Sequence, residues 1–158
     1  MKNILMTNVG FKKLKKKLNY LINIVRPKII KEIIEARAHG DLKENSEYHS
    51  AKEQQSFIEN KIKQFELKLS FAKIIDITKI PNNGTVLFGS TITILNLNKK
   101  KKITYRIVCD YESNIKKKLI SVNSPIASNL IGSKINDIVF IKTPLKEIKY
   151  KILKIEHI

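Results

Sequence analysis

The chain is poor in cysteine, tryptophan, glycine and proline: one Cys, no Trp, five Gly and four Pro in 158 residues. The lone cysteine, Cys109, excludes an internal disulfide and a cysteine-built zinc cluster, and it fits a reducing compartment. Arginine is scarce too, with three Arg among 31 basic residues. Long apolar runs are missing. The longest stretch without Asp, Glu, Lys or Arg is 80–98, and it holds Pro81, two Gly and four Asn, so it is no membrane span. The first ten residues, MKNILMTNVG, contain no apolar segment long enough for a signal peptide. A soluble, cytoplasmic protein with no membrane association is expected. There is no Gly-rich phosphate loop and no GxSxG, and no self-contained active site is visible.

What is present is a core-forming 42% of hydrophobic residues and a net charge of +17. The charge invites a nucleic-acid reading. Its composition argues otherwise: Lys, Ile and Asn, all with A/T-rich codons, make up 70 of the 158 residues. A phosphate-binding surface would favour Arg more strongly. Nor is the charge segregated, since 1–79 carries 17 basic and 9 acidic groups and 80–158 carries 14 and 5. The exception is 35–53, where Glu35, Asp41, Glu44, Glu47 and Glu53 outnumber Arg37, Lys43 and Lys52.

The fold expected is α+β: an N-terminal antiparallel coiled-coil hairpin over 1–79 and a mostly antiparallel β-sheet domain with a short helix over 80–158. Thr7 is the expected cap of a first helix running to about Ala38, with a seam of Leu14, Leu18, Leu21, Val25, Ile29 and Ile33. Pro27 should kink it. The second helix shows a seam of Tyr48, Ala51, Gln55, Ile58, Ile62, Phe65, Leu69 and Ala72, spaced 3 and 4 apart. The short connection 39–43 makes the helices antiparallel, with Gly40 as a helix stop. Pro81-Asn82-Asn83-Gly84 marks a boundary. Strands are expected over 90–97, 103–108, 119–122, 137–142 and 147–155, with a hairpin turn at 98–102. Ser124, Pro125 and Gly132 bracket the short helix.

Asp41 and Glu44 sit three apart at the hairpin tip. One reading is structural, a capping box opening the second helix. The other is chemical: two carboxylates suit a hard cation such as Mg²⁺, held weakly unless a partner adds oxygens. His39 and His49 match no metal spacing and read as surface polar groups. His157 lies near the chain end, and Cys109 reads as packing.

The run Ala36-Arg37-Ala38-His39-Gly40-Asp41-Leu42-Lys43-Glu44-Asn45-Ser46-Glu47-Tyr48-His49-Ser50-Ala51-Lys52-Glu53-Gln54-Gln55 closely resembles the signature of the GreA/GreB family of bacterial transcript-cleavage factors. The resemblance extends over the whole chain, through Met6-Thr7 with Gly10, Arg26-Pro27, Phe88-Gly89 and Ile120 to Ala127. It implies an FKBP-like C-terminal domain that docks at the rim of the RNA polymerase secondary channel, and a coiled coil that enters the channel. It further implies a monomeric accessory factor, not itself an enzyme, that stimulates the polymerase to cleave the 3′ end of backtracked RNA. By this resemblance Asp41 and Glu44 are the catalytic acids. They help hold a Mg²⁺ in trans at the polymerase centre, with none bound by the free protein. Arg37, Asn45, Tyr48 and Lys52 match RNA or tip contacts, and Asn123, Ser124 and Pro125 match the docking loop. Ser46 and Ser50 depart from the family's usual Ala, and Ala38 from a common acid. Two other readings stand beside this one: a noncatalytic channel-binding regulator, and a basic protein that binds DNA nonspecifically.

Overall fold

The computed structural model describes residues 2–158. The chain forms two compact units, one comprising residues up to Ile4 with Lys12–Ala72, the other Leu5–Phe11 with Lys73–Ile158. The sequence placed the division at 79/80. Residues 73–79 instead lie with the second unit, because the Ile75 N–H donates to the Met6 carbonyl and Ile77 is buried against Gly89. Two short strands, β1 (Ile4–Met6) and β2 (Ala72–Ile74), pair with each other.

The first arm of the hairpin is helical from 8 to 37. It runs as α1 (Asn8–Tyr20), a π-helical turn (Leu21–Val25) and α2 (Arg26–Arg37). The Arg26 N–H donates to the Leu21 carbonyl, five residues back, which is the π register. Pro27 explains the wide turn. It has no N–H to give and its ring crowds the preceding turn, so the helix loosens just before it. The second arm is α3 (Ser46–Ser70), about 38 Å long at the α-helical rise.

The predicted seam is the buried one. Leu14, Leu18, Leu21, Ile29 and Ile33 are buried on the first arm, and Ala51, Ile62 and Phe65 on the second. Near the tip Ile29, Ile33 and Ala51 form one cluster, with Val25, Tyr48 and Ile58 packed on it. Arg26 ties the arms together by a two-pronged ion pair, Nε to Glu59 Oε1 at 2.7 Å and Nη2 to Oε2 at 2.9 Å. Hydrogen bonding to Glu59 holds the Arg26 guanidinium above its ordinary pKa.

In the second unit Thr7 caps α1, its hydroxyl oxygen accepting the Gly10 N–H at 3.0 Å while the hydroxyl donates to buried Glu112. Gly10 is required by close approach: a Cβ there would lie 2.1 Å from the Cys109 Sγ. Cys109 is buried, as expected. Asp76 accepts both the hydroxyl and the amide of Thr78, which hold its carboxyl below the usual range.

The remaining strands, β3 (Thr91–Asn96), β4 (Lys101–Val108), β5 (Leu119–Ser121), β6 (Ile138–Lys142) and β7 (Glu147–Glu156), form one sheet in the order β5-β4-β3-β7-β6. The sheet is mixed, with β4 and β5 parallel. The expected antiparallel sheet therefore holds for the other pairs only. The ten residues between β4 and β5 fold into a short 3₁₀ turn (Ile115–Lys117) capped by Asn114, which brings β5 back in the same direction. Lys101 and Lys102 belong to β4, so the turn is tighter than 98–102, closing at Lys100 with φ +54°. Ile92, Ile94 and Ile152 point to the buried face, where α4 (Pro125–Leu130) contributes Ala127 and Leu130. Among the described residues no helix is long and apolar enough to cross a membrane.

Candidate functional site at the hairpin tip

Residues 38–45 close the hairpin. Ala38 ends α2, its N–H shared between the carbonyls of Ile34 and Glu35. Gly40 turns the chain at φ +117°, a conformation that side chains disfavour. The Asp41 Oδ1 accepts the Lys43 N–H at 3.0 Å, the bond of an Asx turn. His49 Nε2 lies 3.0 Å from the Lys43 carbonyl and fixes the loop from the α3 side.

The cap of α3 is Asn45, not Asp41 as the capping-box spacing suggested. The Asn45 Oδ1 accepts the Tyr48 N–H at 3.1 Å, and its Nδ2 donates to the Ala36 carbonyl at 2.7 Å. One amide thus serves an orphan donor at the start of α3 and a carbonyl at the end of α2. A carboxylate could do only the first, which is the physical reason that Asn takes the position. Glu44 consequently precedes the helix instead of lying in its first turn.

Freed from capping, Asp41 and Glu44 are both exposed and line one open hollow with His39, Asn45, Ser46 and Glu47. No ion pair among the described residues engages either carboxylate. Nor does any set of three or more His, Cys, Asp or Glu among them gather to hold a metal. The pair suits a hard cation, but as part of a site, because Mg²⁺ takes six oxygens and two carboxylates leave most to water or a partner. Arg37 and Lys52 are exposed on the last turn of α2 and the second turn of α3, and the Lys52 Nζ reaches Gln55 Oε1 at 3.2 Å. Tyr48 is half-buried on the Ile29–Ile33–Ala51 cluster, its ring edge-on to His49 at 5.6 Å. It packs the tip as well as bordering it.

In the second unit, Asn123, Ser124 and Pro125 precede and open α4. Ser124 Oγ accepts the Ala127 N–H at 3.2 Å, and Pro125 occupies the first turn. Sequence reasoning missed the anchor of this loop, Asp110, which accepts from the Ser121 hydroxyl and from the Asn123 amide at 3.1 Å. No local spacing links Asp110 to residues eleven and thirteen positions later.

A model described as transcription elongation factor, N-terminal, matches residues 4–74, and one described as transcription elongation factor, GreA/GreB, C-term, matches 81–157. The chain is 62% identical over 152 residues to the transcription elongation factor GreA of Buchnera aphidicola subsp. Baizongia pistaciae, covering 96% of both chains. It is 55% identical over 158 residues to the factor of that name from Yersinia pestis, covering all of both. Among solved structures, it is similar to GreA factor homolog 1 of Thermus thermophilus at 22% identity and a TM-score of 0.44, covering 98% of this chain and 99% of that one. A GreA/GreB factor from Nitrosomonas europaea matches at 16% identity and a TM-score of 0.42, covering 97% and 98%.

Proposed function

The chain belongs to the GreA/GreB family of transcription elongation factors, and from that premise we propose that it stimulates bacterial RNA polymerase to cleave the 3′ end of backtracked RNA. The observation that carries this reading is the tip: two exposed carboxylates on a short loop fastened at both ends by Asn45. A long hairpin with such a tip serves as a probe inserted into the secondary channel of the polymerase, in the cytoplasm. Asp41 and Glu44 place oxygens at the end of the probe. Asn45 holds the loop that carries them, and Arg37 and Lys52 attract the phosphates of the extruded RNA. A Mg²⁺ shared with the polymerase centre would supply Lewis-acid activation of the attacking water. Asn123, Ser124 and Pro125 present a rigid loop for docking at the channel rim. In this role the protein is an accessory factor, and the polymerase is the nuclease.

The test is to add the protein to backtracked complexes of a bacterial RNA polymerase and follow RNA labelled at its 5′ end. Stepwise shortening from the 3′ end is expected. Inhibition of elongation without shortening would instead identify a noncatalytic occupant of the channel.

A further inference from the structure

The outward face of the C-terminal sheet carries lysines around an exposed aromatic ring. The registers set this face residue by residue. Phe140 on β6 pairs with Lys149 on β7, and Ile138 pairs with Lys151. Lys151 in turn faces Leu95 on β3, which faces Lys102 on β4. These residues alternate with Ile141, Tyr150, Ile152 and Ile94, which fill the buried face. Phe140 is 52% exposed and Ile138 49%, although they stand side by side on the edge strand. The Lys149 ammonium lies over the Phe140 ring, 5.5 Å from its centre.

The β3–β4 turn adds further charge beside this face. Asn98 fastens it to β7, its Oδ1 accepting the Lys149 N–H at 3.3 Å and its Nδ2 donating to the Glu147 carbonyl at 3.4 Å. That link fastens the turn that carries Lys99 and Lys100, both exposed, to the backbone of β7. Glu147 and Glu156 stand on this face among the lysines, and Glu156 is already paired with Lys154 at 3.3 Å.

We infer that this sheet face binds single-stranded nucleic acid, with Phe140 stacking on a base and Lys102, Lys149 and Lys151 meeting phosphates. An exposed ring set in a cationic surface is what stacking platforms share, because every base offers a π face. Lys149 and Lys151 stand about 7 Å apart on one side of β7 and follow an extended polyanion along the strand. A duplex hides its base faces and could use the charge alone. The surface uses none of the tip residues, so its test is separate from the cleavage test.

Binding of fluorescein-labelled 12-mers to the full chain, followed by anisotropy across a salt series, tests the assignment. Oligo(U) and oligo(dT) are compared with a duplex of equal length. Both single strands should bind more tightly than the duplex, and Phe140→Ala should weaken them about tenfold. The pair Lys149→Glu/Lys151→Glu should weaken binding and flatten the salt slope by roughly 1 to 1.5. The matched pair Lys13→Glu/Lys17→Glu on α1, which changes net charge equally, should do much less. Phe140→Trp supplies the only Trp in the chain, and its emission should be quenched by oligo(U). Equal binding by the duplex, an unaffected Phe140→Ala, equal losses from the two lysine pairs, or unquenched Trp emission would each overturn the assignment.

Discussion

Asn45 matters most for keeping the tip in shape. Replacing it with Ala removes the α3 cap and leaves the Ala36 carbonyl without its side-chain donor. A loss of about 1–2 kcal/mol is expected in urea unfolding, with faster amide exchange at Tyr48. Asp41→Asn should leave the unfolding midpoint where it was, because Asn preserves the acceptor that bonds the Lys43 N–H. A second residue-scale prediction concerns Gly10. Gly10→Ala drives a methyl into the Cys109 sulfur and should cost about 1–3 kcal/mol. Adding Cys109→Ala should recover part of that loss, and simple additivity of the two changes in unfolding free energy would rule out the clash as its cause.

At the scale of elements, the hairpin stands on its seam. Ile62 is 2% exposed and Phe57 64%, both on α3. Ile62→Ala should destabilise by about 2–4 kcal/mol, whereas Phe57→Ala should stay within about 0.5 kcal/mol when unfolding is measured in denaturant. Asp76 gives the second unit an acid-sensitive joint. Its carboxyl is held low by the hydroxyl and then the amide of Thr78. The resulting stabilisation is complete above about pH 4 and fades as pH falls through the depressed folded value. Asp76→Asn should remove that portion of the acid dependence, and thermal unfolding in an acid pH series would reveal it. The seams of both helices were legible because spacings of 3 and 4 survive whatever surrounds them. Strands β3 to β7 were legible from β-branched runs and turn residues. Strands β1 and β2 were not, since three residues carry no usable alternation and their pairing joins segments some 70 positions apart. The parallel β4–β5 pair was hidden for a related reason: direction depends on a 3₁₀ turn whose cap, Asn114, looks locally like any loop residue.

On the scale of the whole molecule, the +17 charge is shared by both halves, and the charge that bears on the cleavage role is the net-negative stretch 35–53. The sequence located that stretch and its two carboxylates, and spacing left both a capping reading and a cation-binding reading open for them. The structure gives capping to Asn45 and leaves both acids exposed, which is consistent with the proposed delivery of oxygens to another active centre. The capping reading rested on spacing alone, because Asp41 with Glu44 and Asn45 with Tyr48 compete for the same helix start. The Ala36 carbonyl that decides between them lies nine residues away in sequence. The most direct measurement is the rate of 3′-end cleavage in backtracked polymerase complexes at saturating factor, wild type against Asp41→Asn. A fall of about 10²–10⁴-fold is expected, with binding to the polymerase retained. Cleavage at the wild-type rate by Asp41→Asn would contradict the role assigned to the tip.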